Sequence, residues 1–299
     1  MQISSNVLDL HSFNFKKMNI FYTRKEIRTF IESKSQIKKT IGYVPTMGAL
    51  HMGHASLIDR SIKENNITIV SVFVNPTQFD NITDLDKYPR TLEKDLVLIK
   101  DINPNIVVFA PNAEELYQGN IITKNYSFDG LEHEMEGKHR KGHFNGVGTV
   151  LELFFTLIKP NNAYFGKKDF QQLQIVKKLV SKYHLDVNII GCDIFREKSG
   201  LAMSSRNERL SINSRKNAEF IYQTLLSAKE KFETNSVNYV EQWIAKQFMK
   251  NETLELEYVS IANVKTLKPV IRKSKNQEYR IFIAAFIDNI RLIDNIALN

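Results

Sequence analysis

Short apolar runs alternate with amphipathic segments along the first two thirds of the chain. Residues 41–44, 67–74 and 106–110 are mostly apolar, as in strands that are buried on both faces of a parallel sheet. Residues 23–31 and 92–99 place apolar side chains at helical spacing, so helices alternate with these strands. This alternation predicts an α/β fold with a doubly wound, Rossmann-like parallel sheet.

Particular residues mark where several elements begin or end. Thr23 and Glu26 have the spacing of a capping box, which predicts that a helix begins there. A longer helix is predicted over residues 145–158, because its apolar residues form a broad face and Pro160 follows it. Residues 112–142 are polar and contain glycine, so we interpret them as a mobile flap or rim.

The alternation of short apolar strands with amphipathic helices ends near residue 195. Two amphipathic helices at about 212–232 and 237–250 precede predicted strands at 254–262 and 280–288. We therefore expect a Rossmann-like nucleotide- and substrate-binding domain and a smaller α+β domain that packs over it as a lid. The predicted boundaries are 1–17 for an N-terminal extension without motifs, 18–194 for the first domain and 195–299 for the second.

Composition narrows the class of protein. The chain has 299 residues, of which 42% are hydrophobic and 25% are charged, enough for a sizeable core. It has no apolar run long enough to span a membrane, and its start is not that of a secretory signal. The single cysteine, Cys192, cannot form an internal disulfide, which fits a cytoplasmic location.

The net charge of +8 raises the possibility of nucleic-acid binding. The lysines are scattered along the chain rather than clustered, however, and such a charge also favours small acidic substrates. We therefore expect neither a nucleic acid nor a membrane as partner.

The turn between the first buried strand and the next helix carries the strongest chemical signal. Pro45 ends the strand, Gly48 permits a tight turn, and Gly53 would let a ligand approach the backbone. The helix then begins near Gly53, and a helix N-terminus attracts anions through its free N–H groups and dipole. His51 and His54 could place protons or positive charge on a phosphate bound there.

Two other interpretations of the histidine pair remain open. His51 and His54 could form half of a metal site, although no cysteine or carboxylate stands at ligand spacing beside them. They could also be structural histidines.

Polar residues follow two further predicted strands. Asn75 and Gln78 would face the same crevice as the histidines, because ligands bind outside the carboxyl ends of parallel strands. Alternatively, Asn75 caps its own Asn-Pro turn. At a second crossover, Lys168 projects a cation and Asp169 begins a helix. The alternative is an acid that complements the helix dipole among exposed lysines.

Three more positions are ambiguous from the residues alone. The loop at 196–207 contains two hydroxyls and an arginine, which suits closure over phosphates, but could also cap the helix after Ser211. Arg140 could hold a phosphate or pair with a surface carboxylate. Asp95 lies in a predicted helix, where a single acidic residue is usually solvated.

The string from Pro45 to His54 resembles the nucleotide-binding turn of the pantothenate synthetase family, within the His-x-Gly-His nucleotidylyltransferase superfamily. Further resemblance covers about residues 18–296. It is carried by the blocks at 73–79, 140–147, 165–169, 196–207 and 291–295. In the third of these, Lys167 replaces the glutamate of the family pattern Phe-Gly-Glu-Lys-Asp.

The resemblance implies an ATP-dependent condensation of pantoate with β-alanine through a pantoyl adenylate. His51, His54, Lys168 and Arg206 would be the catalytic residues. ATP would contact Met47, Gly48, Ala49, Leu50, His51, Met52, Gly53, His54, Gly166, Lys167, Lys168, Asp169, Phe195, Met203, Ser204, Ser205 and Arg206. Pantoate and β-alanine would contact Gln78, Gln172, Asn75 and Arg140.

The resemblance also implies Mg²⁺, with Asp95 near it, and a homodimer. Two alternative functions stay open: another ligase or adenylyltransferase of the superfamily, and a basic nucleic-acid-binding protein with a vestigial nucleotide site.

Overall fold

The computed structural model describes residues 18–35, 39–80 and 82–299, and the predicted extension 1–17 lies outside these ranges. The strands are β1 Asn19–Phe21, β2 Ile41–Thr46, β3 Ile67–Val72, β4 Val107–Phe109, β5 Asn162–Gly166, β6 Asn188–Cys192, β7 Glu255–Asn263, β8 Tyr279–Ile287 and β9 Ile290–Ala297. The helices are α1 Arg24–Ser35, α2 Met52–Glu64, α3 Ile82–Lys87, α4 Leu92–Ile102, α5 Ala113–Tyr117, α6 Met135–His139, α7 His143–Ile158, α8 Phe170–Lys182, α9 Ile212–Asn217, α10 Glu219–Thr234 and α11 Val237–Met249.

The first six strands form one parallel sheet in the order β1-β4-β3-β2-β5-β6. Strand order reverses between β2 and β5, because the chain leaves β2 toward β3 and β4 and returns to add β5 and β6 on the other side. In a doubly wound sheet, the crevice outside the carboxyl ends of the strands at such a point is where ligands bind. The predicted fold class is confirmed.

Alternate residues of the central strands enter two cores, one on each face of the sheet. Tyr43 packs on the face covered by α7, with its ring 5.7 Å from that of Phe154. Val44 faces the opposite side, with Ile58 of α2 and Leu96 of α4. The apolar runs in the sequence are thus strands that are buried on both faces.

The predicted capping box is present at the start of α1. Thr23 Oγ1 accepts a hydrogen bond from the Glu26 N–H at 3.2 Å, and Glu26 Oε2 accepts one from the Thr23 N–H at 3.0 Å. The helix predicted at 212–232 is instead divided into α9 and α10 at Ala218, whose N–H bonds back to Ser214. Among the described residues, no helix is long and apolar enough to cross a membrane.

The last three strands form an antiparallel sheet in the order β7-β8-β9. One face packs against α10 and α11, where Leu225 and Ile244 meet Ile281. On the other face, Phe282 packs against Phe170 at the start of α8, with the ring centres 6.0 Å apart. The small sheet therefore lies against the second crossover of the large one.

The segment 112–142 carries more apolar packing than its polar sequence indicates. Phe128, Leu131 and Met135 are buried in the core beneath α7 and α8. Gln171 of α8 holds the segment by donating hydrogen bonds to the carbonyls of Leu131 and Glu134, both at 2.8 Å.

Candidate active site

A cavity lies outside the carboxyl ends of β2 and β5 and is lined by residues of both sheets. The predicted site residues that line it are Met47, His51, Gly53, His54, Asn75, Gln78, Arg140, Gly166, Lys168, Asp169, Gln172, Phe195, Met203, Ser204, Ser205 and Arg206. Gly48, Ala49, Leu50, Met52, Asp95 and Lys167 do not line it. Three segments bring most of these residues together: the histidine turn (residues 47–54), the lysine turn (166–169) and the serine loop (196–207).

The two histidines of the histidine turn cap helix α2 with their side chains. His51 Nδ1 accepts a hydrogen bond from the Gly53 N–H at 3.1 Å, and His54 Nδ1 accepts one from the His51 N–H at 3.3 Å. Because an N–H donates to each Nδ1, each neutral ring carries its proton on Nε2. The turn therefore holds two imidazoles that can each donate one hydrogen bond into the cavity.

Burial lowers the pKa of His51 to about 4 and that of His54 to about 3, with the positive charge of Lys168 acting in the same direction. Both rings are therefore neutral near pH 7 while the site is free of anions. An anion bound between them would raise both pKa values, because it favours the charged form.

Gly53 allows the His51 ring to cap helix α2. A Cβ at this position would lie 2.8 Å from Cε1 of His51, so only glycine leaves room for the ring to fold back onto the helix end. The sequence reasoning assigned this glycine to the approach of a ligand, and the structure adds this steric cause.

Asp95 reaches the histidine turn from α4. Its Oδ2 accepts a hydrogen bond from the Ala49 N–H at 3.0 Å, and its Oδ1 accepts one from the Leu50 N–H at 2.7 Å. The turn needs this support because Gly48 and Ala49 both have positive φ, of 81° and 50°. Since Asp95 does not line the cavity, its contacts give no support to the prediction that it lies near Mg²⁺.

Asn75 and Gln78 lie together beyond β3, but their amide groups have different surroundings. The Asn75 amide is occupied by protein: it donates to Gln78 Oε1 and the Gly146 carbonyl, and accepts from the Tyr117 hydroxyl at 2.6 Å. Among the described residues, the hydrogen bond of Gln78 Nε2 is to the sulfur of Met47, at 3.0 Å. Gln78 is thus the residue of this pair with a donor available to a ligand, and Asn75 fixes its orientation.

The two adjacent glutamines at the start of α8 also differ. Gln171 is buried and accepts a hydrogen bond from the Glu136 N–H in addition to donating the two bonds described above. Gln172 lines the cavity, and nothing among the described residues hydrogen-bonds its amide. The side chain predicted to contact the substrate is the one that the fold leaves available.

The lysine turn places Lys168 and Lys167 in different surroundings. Lys168 lines the cavity with its side chain 18% exposed, and its ion pair with Asp169 is long, at 3.7 Å. Lys167, at the position of the family glutamate, pairs instead with Asp193 at 2.6 Å near the surface. Lys168 is therefore the cation that a phosphate would meet.

The serine loop brings two hydroxyls and a guanidinium to the lining of the cavity. Ser204 Oγ accepts a hydrogen bond from the Arg206 N–H at 3.3 Å, and Ser205 Oγ lies 3.5 Å from the Tyr88 hydroxyl. Arg206 pairs with Asp84 of α3 at 3.2 Å. The loop thus caps a short 3-10 helix of its own, at Ser205–Arg209.

Arg140 lines the cavity next to His143. Its guanidinium donates to His143 Nε2 at 3.2 Å, so the proton of His143 is on Nδ1, which donates to the Gln78 carbonyl at 2.8 Å. Burial lowers the pKa of His143 to about 3. The remaining guanidinium donors of Arg140 have no partner among the described residues, so they can receive a carboxylate.

Sequence reasoning missed the acidic group beside Arg140. Glu136 forms a bidentate pair with Arg291 at 2.7 and 2.8 Å and accepts a hydrogen bond from Tyr258. Burial alone would raise the pKa of Glu136, but the bonds and charge of Arg291 lower it to about 2. The only signal in the sequence was Arg291, at the start of the last family block.

The fold and this cavity define a class: α/β proteins with a nucleotide site built on a His-x-Gly-His turn. A sequence model described as pantoate–β-alanine ligase matches residues 19–297. The chain is 52% identical to the pantothenate synthetase of Flavobacterium psychrophilum and 53% identical to that of Christiangramia forsetii. Each match covers 94% of this chain and 100% of the relative.

Comparison with solved structures points to the same family. A pantothenate synthetase from Thermus thermophilus superposes with a TM-score of 0.87 at 35% identity, over 94% of this chain and 99% of that one. A pantoate–β-alanine ligase from Francisella tularensis, described as complexed with β,γ ATP and β-alanine, gives 0.76 at 33% identity. It covers 94% of this chain and 98% of that one. The chain belongs to the pantoate–β-alanine ligase family.

Proposed function

We propose that this protein condenses pantoate with β-alanine to give pantothenate, converting ATP to AMP and pyrophosphate. The observation that carries the proposal is the convergence of three anion-binding segments on one cavity. Two imidazole donors of the histidine turn, Lys168 and the hydroxyls of the serine loop all line it. The Francisella relative, crystallised with an ATP analogue and β-alanine, supports the same substrates.

In the first step, a carboxylate oxygen of pantoate attacks the α-phosphorus of ATP. The new P–O bond forms as the bond to the bridging oxygen breaks, so pyrophosphate leaves and a pantoyl adenylate remains. Negative charge grows on the bridging and non-bridging oxygens. Preorganised donors aimed at such oxygens are commonly the largest contribution to rate. We assign this function to the Nε2–H groups of His51 and His54 and to Lys168.

In the second step, the neutral amine of β-alanine attacks the acyl carbon of the adenylate. The C–N bond forms, the C–O bond to AMP breaks, and the amine loses one proton. Gln78 and Gln172 would hold pantoate, since an amide both donates and accepts hydrogen bonds, as two hydroxyls and a carboxylate require. The free donors of Arg140 would receive a carboxylate of pantoate or β-alanine.

We propose Mg²⁺ as the counterion of ATP rather than as a resident metal. Among the described residues, no group of three or more histidine, cysteine or acidic side chains could hold a metal ion. Mg²⁺ is often held by one or two carboxylates and by the phosphates of its nucleotide, where it neutralises their charge. Asp169, which lines the cavity, fits such a function better than Asp95, which does not.

We also propose a homodimer in the cytoplasm. The family resemblance supports the dimer, and the single cysteine of the chain supports a reducing compartment.

Exchange of labelled pyrophosphate into ATP tests the proposed function. With ATP, Mg²⁺ and pantoate, exchange should begin before any β-alanine is added, because the first step is reversible and complete in itself. Full turnover without exchange would point to a concerted reaction and contradict the adenylate. Absence of both would contradict the function.

A further inference from the structure

Two adjacent polar residues of β9 are buried beside the cavity and have no part in the chemistry described above. Asp294 is 5% exposed and Asn295 is 2% exposed, and both line the cavity. Neighbouring side chains of a strand point to opposite faces. Strand β9 is therefore covered on both faces at this point, and each side chain reaches a different neighbour.

Asn295 bonds to the backbone of the lysine turn. Its Nδ2 donates to the Lys168 carbonyl at 2.7 Å and to the Lys167 carbonyl at 3.1 Å. Its Oδ1 accepts a hydrogen bond from Arg280 of β8. The guanidinium of Arg280 in turn packs on the ring of Phe170, 4.4 Å from its centre. One amide thus fixes the peptide units on both sides of the Lys168 Cα.

Asp294 bonds to the start of the serine loop. Its two oxygens form a bidentate pair with Arg196, at 2.6 and 2.9 Å, in a nearly buried setting. The same guanidinium donates to the Gly200 carbonyl at 3.0 Å and lies 3.8 Å from the ring centre of Tyr222. Arg196 is therefore fixed on every side, and it fixes the loop that continues to Ser204.

The two anchors are also joined to each other. The Asn295 N–H donates to Asp294 Oδ1 at 2.7 Å, so the carboxylate that holds Arg196 is fixed to the residue that holds the lysine turn. Lys168 and the serine loop belong to different parts of the chain, and a single dipeptide of the C-terminal sheet connects both.

We propose that Asp294 and Asn295 are positioning residues, which hold Lys168 and the serine loop at a fixed separation so that both meet the same triphosphate. The proposal rests on the proposed function, because it assigns both segments to ATP. Neither residue is expected to touch a reacting atom. A displacement of catalytic groups by about 1 Å can lower a rate by roughly 10²-fold, which is the size of effect expected here.

If Asp294 and Asn295 only stabilised the fold, the expected effect of their loss on the two half-reactions would be different. If the dipeptide only joined the two sheets, its loss would reduce the folded fraction, and both half-reactions would fall in the same proportion. If it positions the phosphate-binding segments, the loss should fall mainly on the step in which pyrophosphate departs.

The test is Asn295→Ala, assayed separately in each half-reaction and corrected for folded protein by circular dichroism. We expect pyrophosphate exchange with pantoate to slow by about 10²-fold, mainly through kcat. Conversion of synthetic pantoyl adenylate and β-alanine to pantothenate should stay close to the rate of the unmodified protein. Asp294→Asn, which keeps the side-chain size, should also slow pyrophosphate exchange more than the second half-reaction, but by a smaller factor, and it serves if the alanine variant does not fold.

Asn263→Ala is the matched control. Asn263 ends β7 in the same sheet and caps a turn through the N–H groups of Lys265 and Thr266, away from the cavity. Its loss should leave the ratio of the two half-reactions unchanged.

Equal losses in both half-reactions, or no loss in either, would overturn the positioning proposal. If the unmodified protein shows neither pyrophosphate exchange nor overall turnover, the proposed function itself fails, and this inference fails with it. Full turnover without exchange would contradict the adenylate, and with it the separate half-reaction on which this inference depends.

Discussion

The histidine turn and the serine loop both line the cavity, but different elements of the fold hold them in place. The histidine turn is held by helices that pack on the large sheet: its rings cap α2, and Asp95 of α4 accepts hydrogen bonds from the N–H groups of Ala49 and Leu50. The serine loop is held at its start from the other sheet, where Asp294 pairs with Arg196.

The two segments therefore depend on different parts of the chain for their positions. The contacts that hold the two imidazole donors of the histidine turn come from α2 itself and from Asp95 of α4. The serine loop is held from both parts of the chain, because Arg196 pairs with Asp294 of β9 and Arg206 pairs with Asp84 of α3. The C-terminal sheet thus contributes to holding the serine loop, whereas the histidine turn is held by α2 and α4.

Substitution of the two adjacent glutamines of α8 should give the largest difference between a residue that binds substrate and a residue that stabilises the fold. Gln172→Ala removes an amide that has no hydrogen-bond partner in the part of the chain that the structure describes, so we expect kcat/KM for pantoate to fall by about 10²-fold or more with an unchanged melting temperature. Gln171→Ala removes three hydrogen bonds and should lower the melting temperature instead. Steady-state kinetics at saturating ATP and thermal unfolding of both variants check this. A Gln172→Ala variant with normal pantoate kinetics would contradict the assignment.

Stability against pH tests whether the buried histidines are neutral. The folded pKa of His54 and of His143 is about 3, below the ordinary value of 6.5, so the unfolded chain binds more protons as the pH falls below 6.5. Each should lower the unfolding free energy by about 2 kcal/mol at pH 5 relative to pH 7.

Urea unfolding between about pH 5 and pH 7 measures this loss, above the range where Glu136 titrates. His54→Gln should make the dependence shallower by about one proton. A stability that is flat over this range would show that the rings are not held neutral.

Asp95→Ala should disturb the histidine turn from outside the cavity. It leaves the N–H groups of Ala49 and Leu50 without their acceptor, which should cost about 1–3 kcal/mol of unfolding free energy. Turnover should fall as well, because the histidines lose their support. Glu93→Ala, on an exposed position of the same helix, is the control and should change neither quantity. A fully stable Asp95→Ala protein would contradict the supporting function.

Lys167→Glu, which restores the family residue, should have the smallest effect. The pair with Asp193 is largely exposed, and exposed pairs contribute about 0–1 kcal/mol. Turnover should stay within about twofold, since Lys167 does not line the cavity. A large loss in ATP kinetics would show that position 167 takes part in nucleotide binding.

Much of the first domain could be predicted from local pattern. The strands at 41–44 and 67–74 and the capping box of Thr23 and Glu26 depend on near neighbours in sequence, and the structure confirms them. Strand β9 was not predicted, because Asp294 and Asn295 break the alternation of apolar and polar residues that indicates a strand. Their burial is possible only with partners about 100 residues away or more.

The site residues also divide into those that could be predicted from the sequence and those whose contacts depend on distant parts of the chain. Gln172 could be selected from its helix position and the family resemblance, and the structure leaves its amide available. That Asn75 is occupied by Tyr117 and Gly146 could not be seen from the sequence, since those partners come from later helices. For the same reason, nothing local indicated that Asp95 supports the turn at Ala49 and Leu50.

The most direct test of the central claim is His54→Ala, measured for both turnover and melting temperature, with His51→Ala and the double variant beside it. Each single variant should lose about 10²–10³-fold in the rate of pyrophosphate exchange per folded molecule. The loss of stability should stay within the roughly 0.5–2 kcal/mol that removal of a helix cap costs, because each ring accepts one backbone N–H at the start of α2. The double variant should lose less than the product of the single losses, because both rings act on one transition state. A clearly destabilised His54→Ala protein with near-normal exchange per folded molecule would show that the histidines cap the helix and nothing more.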